Sequence, residues 1–548
     1  MRRIFVSFFL LSLAVLHADV GNRGAWGDQG DGTFKNPILP GDFSDPDVIR
    51  VEDDFYLIAS TFQYSPGMAI LHSKDMVNWS YVGHCIPDIS KLGKGMNWTE
   101  MAQYNRGVYA GSLRYHNGRF YMFTTTLSHG LFMSSAPAIT GPWDDPVRLS
   151  DKSWTDDNCP FWDDDGKAYM VYSDLKNGWF THLVEMSPDA KTVYWDTDKV
   201  IDDFKTSEGN KIYKIDGTYY IFHNENRSQG NRVGTFMRAK NIQGPWEKKL
   251  VLQGDPPLRD REPNQGALVQ LKDKSWWFFT HQGRGGFFEG RPTSLLPVKW
   301  VDGWPVPGEI GADGVGRMGW SYPKPINGQP IVVPQSSDDF SAAKLGPQWE
   351  WNHEPRAGFW SLTERPGFLR LKAFKPIDPA VYYKKKKPAE VRADGFFTAG
   401  NMITQRVMGY EGGEVITRFD VSGLSDGQVA GLALFHSSFA RLGVTQKDGV
   451  RTLEYNRDEK NILVGPVLNQ PEFWVKAVIG DQPKPLVTFA YSLDGKTYIS
   501  LGDAFELEWA NYRGSRIGIY NFNTVADAGH LDVDSFSYVY RGPHNRSR

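Results

Sequence analysis

Three acidic residues, Asp45, Asp157 and Glu208, occupy corresponding places in a repeating chain of 548 residues, and acids so arranged can do proton chemistry. One carboxylic acid that donates a proton and one carboxylate that activates a nucleophile suffice to cleave a glycosidic bond, and a third can set how tightly the first holds its proton. Folding alone gives no reason to gather three negative groups, because each makes the others harder to ionise.

The correspondence comes from a repeat of strand, tight turn and aromatic strand, seen in DPDVIRVEDDFYLIAS, AGSLRYHNGRFYMFTT, NCPFWDDDGKAYMVYS, GNKIYKIDGTYYIFHN and GALVQLKDKSWWFFTH. With Tyr56, Tyr121, Tyr169, Tyr220 and Trp277 as markers, the spacings are 65, 48, 51 and 57 residues, which suits one four-stranded blade each. A tryptophan follows every marker, at Trp79, Trp143, Trp195, Trp246 and Trp304. No amphipathic helical period separates the units, so the pattern predicts an all-β, five-bladed propeller whose blades bury their faces against one another. About a dozen residues before each marker stand Asp45, Tyr109, Asp157, Glu208 and Gln265. If the first strand of each unit is the innermost, these five meet at one mouth of the central channel.

Composition narrows the classes. The net charge of -3 and the lack of a basic stripe exclude a nucleic-acid partner. No Gly-x-Ser-x-Gly elbow, P-loop or strand-turn-helix GxGxxG is present. The run DDDG at Asp163–Gly166 reads as a solvated hairpin turn rather than a metal site, and no His or Cys spacing suggests zinc. Residues 1–18, MRRIFVSFFLLSLAVLHA, have the charged start, apolar run and small terminal residue of a signal peptide, so an exported protein, periplasmic or extracellular, is expected. No second apolar stretch is long enough to span a membrane. Cys85 and Cys159 are expected to be unpaired, Cys159 as a small core residue.

A change of pattern after PKPINGQPIVVPQSSDDF divides the chain into a propeller at 19–334 and a β-sandwich at 335–548. Alternation in GEVITRFDVSG puts Val415, Thr417, Phe419 and Val421 on one buried face. The KKKK run at Lys384–Lys387 reads as a solvated loop.

The segment NPILPGDFSDPDVIRVEDDFYLIASTFQYSPGMAILHSKDMVNW resembles the opening of glycoside hydrolase family 43, the inverting β-xylosidases and α-L-arabinofuranosidases. DNCPFWDDDG resembles that family's DPSLFxDDDG, SEGNKIYKIDGTYY its TEGPHLYKxxGYYY, and NMITQRVMG with AGLALF its concanavalin-like C-terminal jelly roll. The resemblance implies Asp45 as general base, Glu208 as general acid and Asp157 as the residue that orients the acid and modulates its pKa. It also implies substrate contacts from Phe62, after STF, and from Arg291, in FFEGRPTSLLP, with Tyr109 and Gln265 joining them by blade position. The chain departs from the pattern at Tyr109, Ala110 and Gly111, where many members have Trp-Ala-Pro, and at Asn264 and Gln265, where a His often sits. No cofactor is expected to be required, and an axial calcium, seen in parts of the family, is the candidate ion. The expected function is exo-acting, inverting release of a terminal pentose from plant cell-wall polysaccharides or oligosaccharides, with the second domain closing one side of the pocket. A retaining fructosidase of the invertase type and a non-catalytic sugar-binding propeller are the alternatives.

Overall fold

The computed structural model describes residues 26–39, 41–227, 232–254, 263–282, 290–377, 395–409, 412–480, 485–507 and 512–541; the expected signal peptide and the KKKK run lie outside them. Sheets built on four antiparallel strands follow one another along the chain, the fourth extended to six by Gly316–Arg317, which pairs parallel to its outer strand, and Glu309–Ile310; their inner strands are Asp47–Val51, Ser112–His116, Thr155–Trp162, Ser207–Ile215 and Pro263–Gln270. Each inner strand packs against the next, and the fifth packs against the first, which closes a ring of five blades. This is the five-bladed propeller that the repeat predicts.

Local sequence sets the blades. His116↔Arg119 and Ile215↔Thr218 close hairpins over Asn117–Gly118 and Asp216–Gly217, both of whose residues have left-handed φ. Such turns match the twist of antiparallel strands, and Asn, Asp and Gly tolerate them. Asp163 begins the longer turn of blade three, and its carboxylate accepts from Lys214 Nζ (2.6 Å) and Tyr219 Oη (2.6 Å) of blade four. The DDDG run therefore clasps two blades.

Two antiparallel sheets form the second domain, with Val415, Thr417, Phe419 and Val421 buried between them as the alternation predicts. One sheet has eight strands, and its last is Tyr64–Ser65 from the propeller, paired to Glu350–Asn352. Buried charges join the domains: Glu350 accepts from Arg406 (2.6 Å) and Arg516 (2.6 Å), and Arg406 also donates to the Asp42 carbonyl and to Tyr81 Oη. Cys85 and Cys159 are buried and unpaired. Among the described residues no helix is long and apolar enough to cross a membrane.

Candidate active site

The inner strands of blades three, four and five each carry an irregularity at the channel mouth, between Asp156 and Cys159, Glu208 and Lys211, and Asn264 and Ala267. Within these bulges Asp157, Gly209 and Gln265 have φ of 51°, 80° and 58°, and Asp45, just before the first inner strand, has 56°. A bulge residue in this region re-aims its neighbours, which turns side chains from the blade faces toward the mouth. The pairings Cys159↔Val171, Lys211↔Phe222 and Ala267↔Phe279 make Asp157, Gly209 and Gln265 the equivalent positions. Glu208 therefore stands one residue earlier, alongside Asp156 and Asn264. Counting back from the aromatic marker misses this because blade four closes over two residues where blade three uses the longer Asp163–Lys167 turn.

A cavity of about 390 Å³ opens at this mouth, and Asp45, Asp157, Glu208, Tyr109, Gln265 and Arg291 all line it. Asp45 is only 4% exposed and is held on every side. Arg291 donates to both its oxygens (2.8 and 2.9 Å) in the bidentate geometry that fixes a carboxylate most firmly, and Ser60 Oγ donates to Oδ2 (2.6 Å). The Asp45 N–H donates to His281 Nδ1 (2.8 Å). Burial first, then Arg291 and Arg232, push the His281 imidazole well below its ordinary range, so it is neutral with its proton on Nε2.

Asp157 accepts from Gln265 Nε2 (2.5 Å) and from the Gly209 N–H (2.7 Å), so two neighbouring blades hold one carboxyl. Burial pushes its pKa up to about 6, the charge of Glu208 adds to this, and Lys211 opposes it. Asp156, which the repeat did not single out, also lines the cavity, and desolvation followed by the charge of Asp157 raises its carboxyl well above the usual range. Glu208 pairs with Arg232 (2.5 Å), another cavity residue outside the motifs. Four acids and three arginines, Arg106 with Arg232 and Arg291, thus surround one space, an arrangement suited to moving protons between a ligand and fixed carboxyl groups.

Residues 34–305 match the family model described as glycosyl hydrolases family 43, and 337–539 match the β-xylosidase C-terminal concanavalin A-like domain. A β-xylosidase of Formosa agariphila is 39% identical over 558 residues, covering 95% of this chain and 92% of that one. This chain belongs to glycosyl hydrolase family 43. It is a glycoside hydrolase. A family 43 non-reducing-end α-L-arabinofuranosidase of Bacteroides ovatus is 37% identical over 362 residues, 62% of this chain and 65% of its own. The crystal structure of the family 43 protein BlXynB from Bacillus licheniformis superposes with a TM-score of 0.78 at 25% identity, covering 92% of this chain and 99% of the other.

Against the family 43 motifs, Phe62 is placed differently from the expectation. It is fully buried, is bridged to Val108 through both backbone groups and meets the Tyr109 ring edge-on at 5.7 Å, so it braces Tyr109 from behind instead of lining the cavity. Its φ of 56° turns the side chain inward. Arg291 reaches the cavity with Nε donating to the Tyr512 carbonyl (2.8 Å), and the Tyr512 side chain closes one wall. The second domain therefore contributes to this family 43 cavity directly. Trp154 and Trp179 add a flat apolar rim that no motif announced, the kind of surface on which sugar faces stack. Among the described residues, Asp202, His223 and Glu225 form a cluster with metal-ligand spacing, but Lys248 Nζ already lies 2.9 Å from Asp202 and 3.1 Å from Glu225 and supplies its positive charge.

Proposed function

We propose that this family 43 enzyme is an exo-acting, inverting glycosidase that releases a terminal α-L-arabinofuranose or β-D-xylose from plant cell-wall polysaccharides or oligosaccharides. The observation that carries the reading is the cavity itself, lined by Asp45, Asp157 and Glu208 and walled on one side by Tyr512. A pocket of this size, walled on one side by the second domain, suits an end sugar better than the middle of a chain. The relatives' names, β-xylosidase and non-reducing-end α-L-arabinofuranosidase, support the pentose class. The leader pattern at residues 1–18 supports export.

In this reading Asp45 takes a proton from a water, whose oxygen bonds to the anomeric carbon as the bond from that carbon to the leaving oxygen breaks. Glu208 gives its proton to the leaving oxygen. Arg291 and Ser60 hold Asp45 in place, so the base costs little to orient, and a hydrogen left on each Arg291 η nitrogen can serve a substrate hydroxyl. Asp157, between Gly209 and Gln265, supplies the negative charge that favours the protonated form of Glu208. One displacement inverts the anomeric centre.

Proton NMR of the sugar first released from a 4-nitrophenyl glycoside tests the mechanism; a retained anomer would instead support the fructosidase-type double displacement. Paired assays on 4-nitrophenyl β-D-xyloside and α-L-arabinofuranoside assign the sugar, and turnover of neither would contradict the reading.

A further inference from the structure

Below the carboxylates the five inner strands place a second ring of side chains. Two residues on from Asp45, Ala110, Asp157, Gly209 and Gln265 come Asp47, Ser112, Cys159, Lys211 and Ala267, each 0% exposed. One layer further down Arg114 plugs the channel, donating to Asp47 Oδ2 (2.7 Å) and to Cys159 Sγ, with its guanidinium 5.9 Å from the Tyr213 ring centre. Tyr213 Oη in turn accepts from the Leu268 N–H (2.9 Å).

Lys211 is the anomaly in this ring. Its Nζ makes no hydrogen bond to the described residues, and neither do Ser112 Oγ and Asp47 Oδ1 in the same layer. A buried ammonium with no carboxylate against it costs several kcal/mol, so an apolar side chain of the same length would serve the fold better. The ring is also a poor cage for a divalent cation. Its single carboxylate is already committed to Arg114, its other donors are a hydroxyl and a thiol, and two cationic side chains repel any ion that enters.

We propose that Lys211 is a positioning residue for the reaction, a fixed ammonium on the propeller axis that does the work of an axial cation and keeps Asp157 ionised under the bound sugar. This inference rests on the roles proposed above for Asp45, Asp157 and Glu208. Lys211 shares the fourth inner strand with Glu208 and stands two residues beyond Gly209, whose N–H holds Asp157. The other charged groups facing Asp157 are Glu208 with its partner Arg232, Asp156, and Asp45 with its partner Arg291. Asp47 is tied to Arg114, and His281 is neutral. Arg114, Arg232 and Arg291 therefore each have a carboxylate of their own, and Lys211 has none among the described residues. Burial and Glu208 raise the pKa of Asp157 while Lys211 lowers it, so removing the ammonium drives it higher still.

The test uses the full chain and rates measured across pH on a 4-nitrophenyl pentoside. In Lys211→Met the acidic limb of kcat/KM is expected to move up by about one pH unit, with kcat near pH 6 falling about tenfold and KM little changed. Lys211→Arg, which keeps the charge, is expected to retain the wild-type limb. Lys211→Gln replaces Lys211→Met if that variant does not fold. Wild-type rates are expected to survive chelation and to gain nothing from calcium. A neutral variant with an unmoved acidic limb, whatever its rate, would overturn the inference, as would a wild-type rate lost on chelation and restored by calcium. Asp45→Asn on this substrate and Glu208→Gln on an oligosaccharide serve as controls: if they keep full turnover, the proposed function fails, and if they are impaired while the Lys211→Met limb stays put, the role of Lys211 alone fails.

Discussion

At the scale of single residues the site separates roles by what each acid touches. Asp45 is clamped by Arg291 and Ser60, whereas Glu208 is paired with Arg232 and is more exposed. Removing the acid should hurt most where the leaving group is poor. Glu208→Gln is expected to lose on the order of 10²–10⁴ in kcat on a xylo- or arabino-oligosaccharide but far less on a 4-nitrophenyl glycoside, whose leaving group needs no proton; steady-state rates on both substrates check this. Asp45→Asn should lose activity on both alike. Asp157 carries a stability consequence too. Its folded pKa of about 6 lies above the unfolded value, so its stabilising contribution is complete below about pH 4 and lost as pH rises through 6. Asp157→Asn should therefore raise the unfolding free energy at pH 7 by roughly 1–2 kcal/mol, seen as a higher melting temperature, while lowering kcat. Gln265 can turn its amide to accept from the new side chain, because its Oε1 has no partner now. Residue type and repeat position were enough to pick out Asp45, Asp157 and Glu208 from the sequence. Asp156, Arg232 and Tyr512 were not legible, because the first adjoins a residue already chosen and the other two reach the cavity from elements far away in the chain.

The elements that position these groups work through backbone irregularity. Gly209 is the clearest case: its φ is 80°, and a Cβ there would stand 2.8 Å from Asn224 Oδ1 and 3.4 Å from Gln265 Oε1. Gly209→Ala should cost about 1–3 kcal/mol from strain and crowding, and more in activity than stability explains, because Asp157 depends on the Gly209 N–H and on Gln265. Melting curves and kcat measured on the same preparation separate the two effects. The blades themselves were readable because turn residues and alternating aromatics are local signals. The bulges were not, since nothing in SEGN or DDNC states which residue takes the left-handed conformation, and so Glu208 was placed one step from its true register. Phe62 failed for a related reason: its motif fixes its neighbourhood, but a single dihedral decides whether the ring faces the cavity or the core.

Over the whole molecule the two domains behave as one body because charge is buried between them. Glu350, fully buried, is held by Arg406 and Arg516, with His84 at 3.3 Å, and the two guanidinium groups outweigh burial and keep its carboxyl far below the ordinary range. Its stabilising contribution is therefore complete above about pH 4.5 and lost as pH falls toward the folded value, so thermal stability should decline steeply in acid. Glu350→Gln leaves two buried guanidinium groups without their counter-charge and should cost about 3–5 kcal/mol, visible as a lowered calorimetric midpoint. The five-bladed propeller and the concanavalin-like sandwich were both legible in the sequence; their joint was not, because Glu350, Arg406 and Arg516 look like ordinary scattered charges until the fold brings them together.

The short Tyr64–Ser65 strand carries the sandwich's sheet across the joint into the propeller. Cut free of the propeller, the sandwich would present the backbone donors and acceptors of Glu350–Asn352 to solvent as an open sheet margin. Such a fragment, made on its own, should recruit a neighbour's strand and run as a dimer or larger species on gel filtration, whereas the intact chain already satisfies that margin from within.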